Sequence, residues 1–169
     1  MQHTKLRYYR SEFKAMGTPC DIQLFVRNKG EAKHAADAAI ADVQRLEALY
    51  SRYKTDSFLS EINRVAAVGG SINVDDETAS LLDYAVTCYE QSDGLFDITS
   101  GILRRAWKFD QGKLPEQSLI DGLLEKVGCH KVVWQRPQLT FSVPGMEIDF
   151  GGVVKEYAVD RAASLCYCL

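Results

Sequence analysis

The residues that could do chemistry concentrate in one stretch, Met146-Glu147-Ile148-Asp149-Phe150-Gly151-Gly152-Val153-Val154-Lys155-Glu156-Tyr157-Ala158-Val159-Asp160. The pattern is a strand ending in a carboxylate, Asp149, then two glycines, then a helix. Glycines at a strand-to-helix turn let a ligand approach the backbone. The helix N-terminus offers free N–H groups and the positive end of the dipole, which suits a phosphate. Lys155 falls in the first turn, where its charge opposes that dipole. An anion, or Asp149 itself, beside the lysine would account for it. The plainer alternative stays open: Asp149 caps the helix, the glycines make a tight turn, and Lys155 reaches to water.

Two further places carry chemistry-bearing side chains. In Gln91-Ser92-Asp93-Gly94-Leu95-Phe96-Asp97-Ile98-Thr99, Asp97 either caps the next helix or offers its carboxylate to a ligand or metal. In Tyr50-Ser51-Arg52-Tyr53-Lys54-Thr55-Asp56-Ser57, Tyr53 closes a helix and either borders the core or stacks on a flat ring. Met16, in a turn, carries little signal by itself. Other chemistries find no support. The three histidines, His3, His34 and His130, sit near no nucleophile, and GxSxG, HExxH, Walker A and GxGxxG are all missing. The five cysteines are scattered with no CxxC, as expected of reduced, mostly buried thiols in a cytosolic protein. The Cys166-x-Cys168 pair lacks the partners a metal would need.

The elements that must position these residues follow from periodicity. Residues 6–13 and 20–26 read as strands around a turn or bulge at 15–19, the second by its alternation of apolar and polar residues. Residues 31–53 predict one long helix with Ala36, Ile40, Val43, Leu46, Tyr50 and Tyr53 on one face. Asp56 or Ser57 caps a short helix carrying Leu59, Ile62 and Val65, which Gly69-Gly70 ends, and 71–74 is extended. A third helix runs from Asp75 or Asp76 to about Ser92 over Leu81, Leu82, Ala85, Val86 and Tyr89, with Gly94 as its stop. Thr99 to Trp107 predicts a short helix. Pro115-Glu116 opens another that ends near Gly128 with Leu119, Leu123, Leu124 and Val127 inward. Residues 131–134 and 139–143 read as a hairpin, 146–150 as a third strand, and a final helix starts near Gly151-Gly152. Helices and hairpin strands mix without a steady βαβ rhythm, so the expected class is α+β with a mixed, mainly antiparallel sheet.

Composition sets the outer bounds. The 169 residues suit a single domain spanning 1–169, and 46% hydrophobic with 25% charged residues is ordinary globular usage. Lys+Arg number 20 against 23 Asp+Glu, a formal charge of −3, so no basic surplus exists to hold a nucleic acid. No apolar run approaches the ~20 residues of a bilayer span. The N-terminal residues show no apolar h-region or lipobox, which makes the cytoplasm the expected location.

Taken together these pieces resemble the FAD:protein FMN transferases, the ApbE family. The matching stretches lie in family order: Met16-Gly17-Thr18 after an aromatic strand, Ser51 to Ser57 leading to Leu59-Ser60-Glu61-Ile62-Asn63, Ser92 to Thr99, Val127-Gly128 with Lys131-Val132-Val133, and Ile148 to Asp160. The resemblance covers about 13–168, and its last motif is the most specific. It implies an ApbE/T-fold-like fold and protein flavinylation: FAD bound with Mg²⁺, its diphosphate cleaved, FMN attached to a Thr or Ser hydroxyl of a target flavoprotein, and AMP released. FAD hydrolysis to FMN and AMP is an alternative, as is a non-catalytic FAD-binding fragment. Carried over residue by residue, the resemblance places Met16, Tyr53, Leu95, Phe96, Asp97, Asp149 and Lys155 at the FAD site. Gly152 matches a position that helps hold Mg²⁺, through its backbone carbonyl. Family members carry a further stretch whose Asp/Thr side chains hold the metal, so the expectation is that these residues are the N-terminal portion of such an enzyme, incomplete at the C-terminus.

Overall fold

The structure, a computed structural model, describes residues 5–107 and 112–168. The described residues form two compact units, 5–51 with 154–168, and 52–107 with 112–153.

The first unit holds a hairpin and two helices. Strands β1 (Arg7–Ala15) and β2 (Thr18–Val26) pair antiparallel, with Ala15 opposite Thr18. That register leaves a two-residue turn, Met16-Gly17, tighter than a bulge. Both turn residues have positive φ, 51° and 74°, the sign pattern of the hairpin turn that matches strand twist. One face of the hairpin alternates into partial burial (Tyr9, Ser11, Phe13; Cys20, Ile22, Leu24), which is why the period-two pattern was legible. Helix α1 (Lys29–Tyr50) begins at Asn28, whose side chain accepts from the Gly30 N–H at 2.8 Å. It packs on α5 (Val154–Cys168). The buried face of α1 is largely alanine (Ala32, Ala35, Ala36, Ala39), small enough for close helix approach, followed by Val43 and Leu46. Asp42 on α1 takes Arg161 of α5 at 2.7 Å and Arg45 at 2.9 Å. Arg161 above all, then Arg45, holds the Asp42 carboxyl below the usual aspartate range against the opposing effect of burial.

The second unit is built on α2 (Phe58–Val68), β3 (Ser71–Asn73), α3 (Asp76–Gln91), a 3₁₀ helix (Ile98–Arg105), α4 (Gln117–Leu124), β4 (Val132–Gln135) and β5 (Gln138–Phe141). The sheet order is β3-β5-β4, antiparallel throughout. Ser57 caps α2 through the Ser60 N–H at 3.1 Å, and Asp75 caps α3 through the Thr78 N–H at 2.8 Å. Leu59, Ile62, Leu81, Leu82, Leu139, Phe141, Ile148 and Phe150 are buried in this unit. A smaller cluster joins Ile102 and Ala106 of the 3₁₀ region to Leu123, with Ile120 and Val127 packed against it.

The α+β class and the antiparallel pairing are as expected, and four local expectations change. Helix α1 stops at Tyr50, so Tyr53 lies outside it and is not on its buried face. The segment after Asp97 is 3₁₀ and not α-helical. Helix α4 is only eight residues, and Leu119 and Leu124 are half-exposed because Ile120, Leu123 and Val127 face the cluster instead. Residues 146–150 form no strand. They look like one because Met146, Ile148 and Phe150 are all buried, but Glu147 between them is buried too. The Asn63 side chain stands where a neighbouring strand would, donating to the Ile148 carbonyl at 3.0 Å and accepting its N–H at 2.8 Å. The cysteines also differ: four are half-buried and Cys168 is exposed, all of them free.

Candidate functional site

In the second unit, the segment 146–152 is fixed from three sides. Glu147 is buried and receives Arg104 (Nε 3.0 Å, Nη2 2.7 Å) and Arg105 (2.6 Å) from the 3₁₀ helix. Asn63 clamps Ile148, and the Asp149 N–H donates to the Ile98 carbonyl at 2.9 Å. The Asp149 carboxylate that this presents accepts the Gly151 N–H at 2.9 Å through Oδ1 and pairs with Arg52 through Oδ2. Both side chains of that pair are partly buried. Glycine at 101 is required for the approach, since a Cβ there would stand 2.6 Å from the Asp149 Cβ. Gly152 likewise sits under the Phe96 ring, where a Cβ would come within 2.8 Å of Cε2.

Tyr53 follows Arg52 and is 86% exposed. The Arg52 guanidinium carbon stands over its ring, 5.9 Å from the centroid, within cation–π range. Leu95 is 92% exposed, at the crest of the loop before the 3₁₀ helix, while Phe96 is half-buried with its N–H held by the Ser92 hydroxyl at 2.9 Å. Asp97 behaves differently from Asp149. Its Oδ1 accepts the Thr99 N–H at 2.7 Å and the Thr99 hydroxyl at 2.6 Å, and its Oδ2 accepts the Cys129 N–H at 2.9 Å. Its carboxylate is the N-cap of the 3₁₀ helix and a tie to the loop at 128–129. Burial first, then the negative charge of Asp97, push the Cys129 thiol pKa up, which makes it a poor nucleophile.

In the first unit, Met16 and Lys155 line one cavity of about 320 Å³ with Phe13, Ile22, Leu24, Val43 and Ala158. The walls are mostly apolar. Met16 is a non-glycine residue in the left-handed region, held by its N–H to Glu47 Oε1 at 2.7 Å. A strained backbone fixed by a specific partner is the signal that composition could not give. Lys155 is exposed in the first turn of α5.

The residues singled out by sequence therefore fall into two groups. Tyr53, Phe96, Asp149 and Gly152 lie within a web of direct contacts through Arg52 and the glycine turn, with Leu95 and Asp97 on the adjoining loop. Met16 and Lys155 share the cavity. Arg52, Asn63 and Glu147 were given no role from sequence. The signal for Asn63 was a polar residue next to the Leu59, Ile62 and Ala66 stripe, and the signal for Arg52 was its place beside Tyr53.

Magnesium takes near-octahedral oxygen ligation. Among the described residues no group of three or more His, Cys, Asp or Glu converges. Asp149 is turned to Arg52 and Gly151, and Gly152 brings only a main-chain carbonyl. These donors do not make a magnesium site by themselves.

The sequence profile of the ApbE family matches residues 16–167. The chain belongs to the ApbE family. Among similar proteins, a Haemophilus influenzae protein named FAD:protein FMN transferase is 27% identical over 162 residues, 89% of this chain and 46% of that protein. A Chlamydia pneumoniae protein of the same name is 31% identical over 126 residues, 72% of this chain and 40% of that protein. The crystal structure of the ApbE protein from Thermotoga maritima superimposes with a TM-score of 0.83 at 28% identity, over 95% of this chain and 52% of that one. This ApbE chain thus spans about half the length of the relatives it matches. No helix among its described residues is long and apolar enough to cross a membrane.

Proposed function

We propose that the chain carries the flavin-binding part of an FAD:protein FMN transferase. In the reaction, a Thr or Ser hydroxyl oxygen of a target flavoprotein bonds to the flavin-side phosphorus of FAD. The diphosphate P–O bond breaks, AMP leaves with the bridging oxygen, and the hydroxyl proton is given up. The observation that carries this reading is the family match over 16–167, which includes every residue proposed for the site, together with the name the relatives share. The geometry supports it: Tyr53 offers an exposed aromatic face for a flat ring, and Arg52 links it to Asp149. Leu95 and Phe96 of the same unit offer apolar contact, while Met16 and Lys155 belong to the reading through the family resemblance alone. Magnesium dependence belongs to the reading through the family resemblance alone. A cytoplasmic site of action fits the five free cysteines.

Incubation with FAD, Mg²⁺ and a Thr-containing flavoprotein peptide tests transfer by mass spectrometry. The expected products are FMN-peptide and AMP. No FMN-peptide, either from this chain or from a protein extended to its relatives' length, would sink the reading. Because the chain covers about half the length of its relatives, a second reading is a module that binds FAD without turnover. FAD binding by calorimetry with no AMP released would support that module, and AMP release without FMN-peptide would indicate hydrolysis.

A further inference from the structure

We infer that Arg52 is a positioning residue that steadies Tyr53 as a stacking platform, using Asp149 as its anchor. An exposed tyrosine on a loop is ordinarily free to sample rotamers, and holding it still requires neighbours. Tyr53 has an anchor on each side in the chain. On one side the Lys54 carbonyl accepts the Ser57 N–H at 3.2 Å and the Ser60 hydroxyl at 2.7 Å, which pins the backbone to the start of α2. On the other side the Arg52 guanidinium pairs with Asp149, itself fixed by the Gly151 N–H and the Ile98 carbonyl. The same guanidinium lies 5.9 Å from the Tyr53 centroid. At that separation the cation attracts the ring without covering it. With the side chain 86% exposed, ring surface stays open for a flat aromatic ligand. Arg52 thereby links the stacking residue to the carboxylate, two roles that otherwise sit on separate elements. The flavin as occupant rests on the function proposed above, while the platform does not.

The test uses the whole chain with ¹³C-labelled tyrosine, the Tyr53 signal being assigned by Tyr53→Phe. Aromatic ¹³C relaxation reports ring order without any ligand, and quenching of riboflavin fluorescence reports stacking. Arg52→Ala is expected to loosen the Tyr53 ring and to weaken riboflavin binding about three- to tenfold. Arg52→Lys keeps the charge but not the planar fork, and is expected to fall between the two. If Arg52 acts through its anchor, Asp149→Asn should loosen the ring in the wild-type background and add nothing in Arg52→Ala. Unchanged ring order in a folded Arg52→Ala or Arg52→Lys variant overturns the inference, even where riboflavin still binds. Loosened order with no riboflavin quenching by the wild-type chain upholds the platform and counts against the flavin reading instead.

Discussion

Asp97 directly precedes the 3₁₀ helix, Asp149 comes shortly before the turn at 151–153, and both lie in the same compact unit. Their surroundings differ in kind. Three donors around Asp97 all belong to fixed structure: two on Thr99 and the Cys129 main chain. Asp149 accepts one main-chain N–H, and its second oxygen faces a side chain, Arg52. A carboxylate held by two backbone N–H groups and a neighbouring hydroxyl has no partner it can exchange without local unfolding. A carboxylate with one partner on each oxygen keeps further lone pairs for a ligand while its guanidinium stays in place. The first arrangement holds a fold together and the second can serve a site.

The comparison breaks first at Asp97. Asp97→Ala should cost about 3 kcal/mol of stability, read from the urea unfolding midpoint, because it removes a cap and leaves donors unmatched. A loss below about 1 kcal/mol would mean that these hydrogen bonds are not what fixes the loop. Gly101→Ala comes next. Its Cβ would meet the Asp149 Cβ at 2.6 Å, so about 2 kcal/mol of overpacking is expected, with weaker flavin binding as Asp149 is displaced. Unaltered FAD affinity in that variant would separate Asp149 from the ligand. Asp149→Asn should change stability by only about 1 kcal/mol while lowering FAD affinity about tenfold, the reverse of the Asp97 pattern.

Much of this contrast was legible before the structure. The N-cap reading of Asp97 follows from an Asp two residues before Thr99, and the helix, hairpin and turn assignments follow from periodicity and glycine placement. What stayed hidden depends on long-range partners. The alternation at 146–150 read as a strand because a side chain, Asn63, supplies the hydrogen bonds a strand would have supplied from 85 residues away. Burial of Glu147 could not be read, since its charge is matched by Arg104 and Arg105 from another element. Tyr53 matched the helical spacing of α1 but lies beyond its end, where the chain needs Ser57 to start α2. The site roles of Met16, Tyr53 and Asp149 came from family resemblance, because no local rule ties those residue types to a flavin.

The smallest expected effect lies in the first unit, where Asp42 is a structural carboxylate held by side chains. Its pKa is lowered in the folded state, so its contribution is present above the ordinary aspartate range and lost as pH falls through the lowered value. Asp42→Asn should flatten that part of the acid unfolding curve, with less than about 1 kcal/mol lost near neutrality. An unchanged acid limb would show that the Arg161 pair adds nothing to the packing of α1 on α5.

The central claim is that this chain holds FAD at Tyr53 and Asp149. Calorimetric titration of FAD into the wild-type chain, Tyr53→Ala and Asp149→Asn tests it most directly. The account predicts saturable binding by the wild type and affinity about tenfold weaker in each variant. Equal affinity in all three proteins, or no binding by a folded wild-type chain, would contradict it.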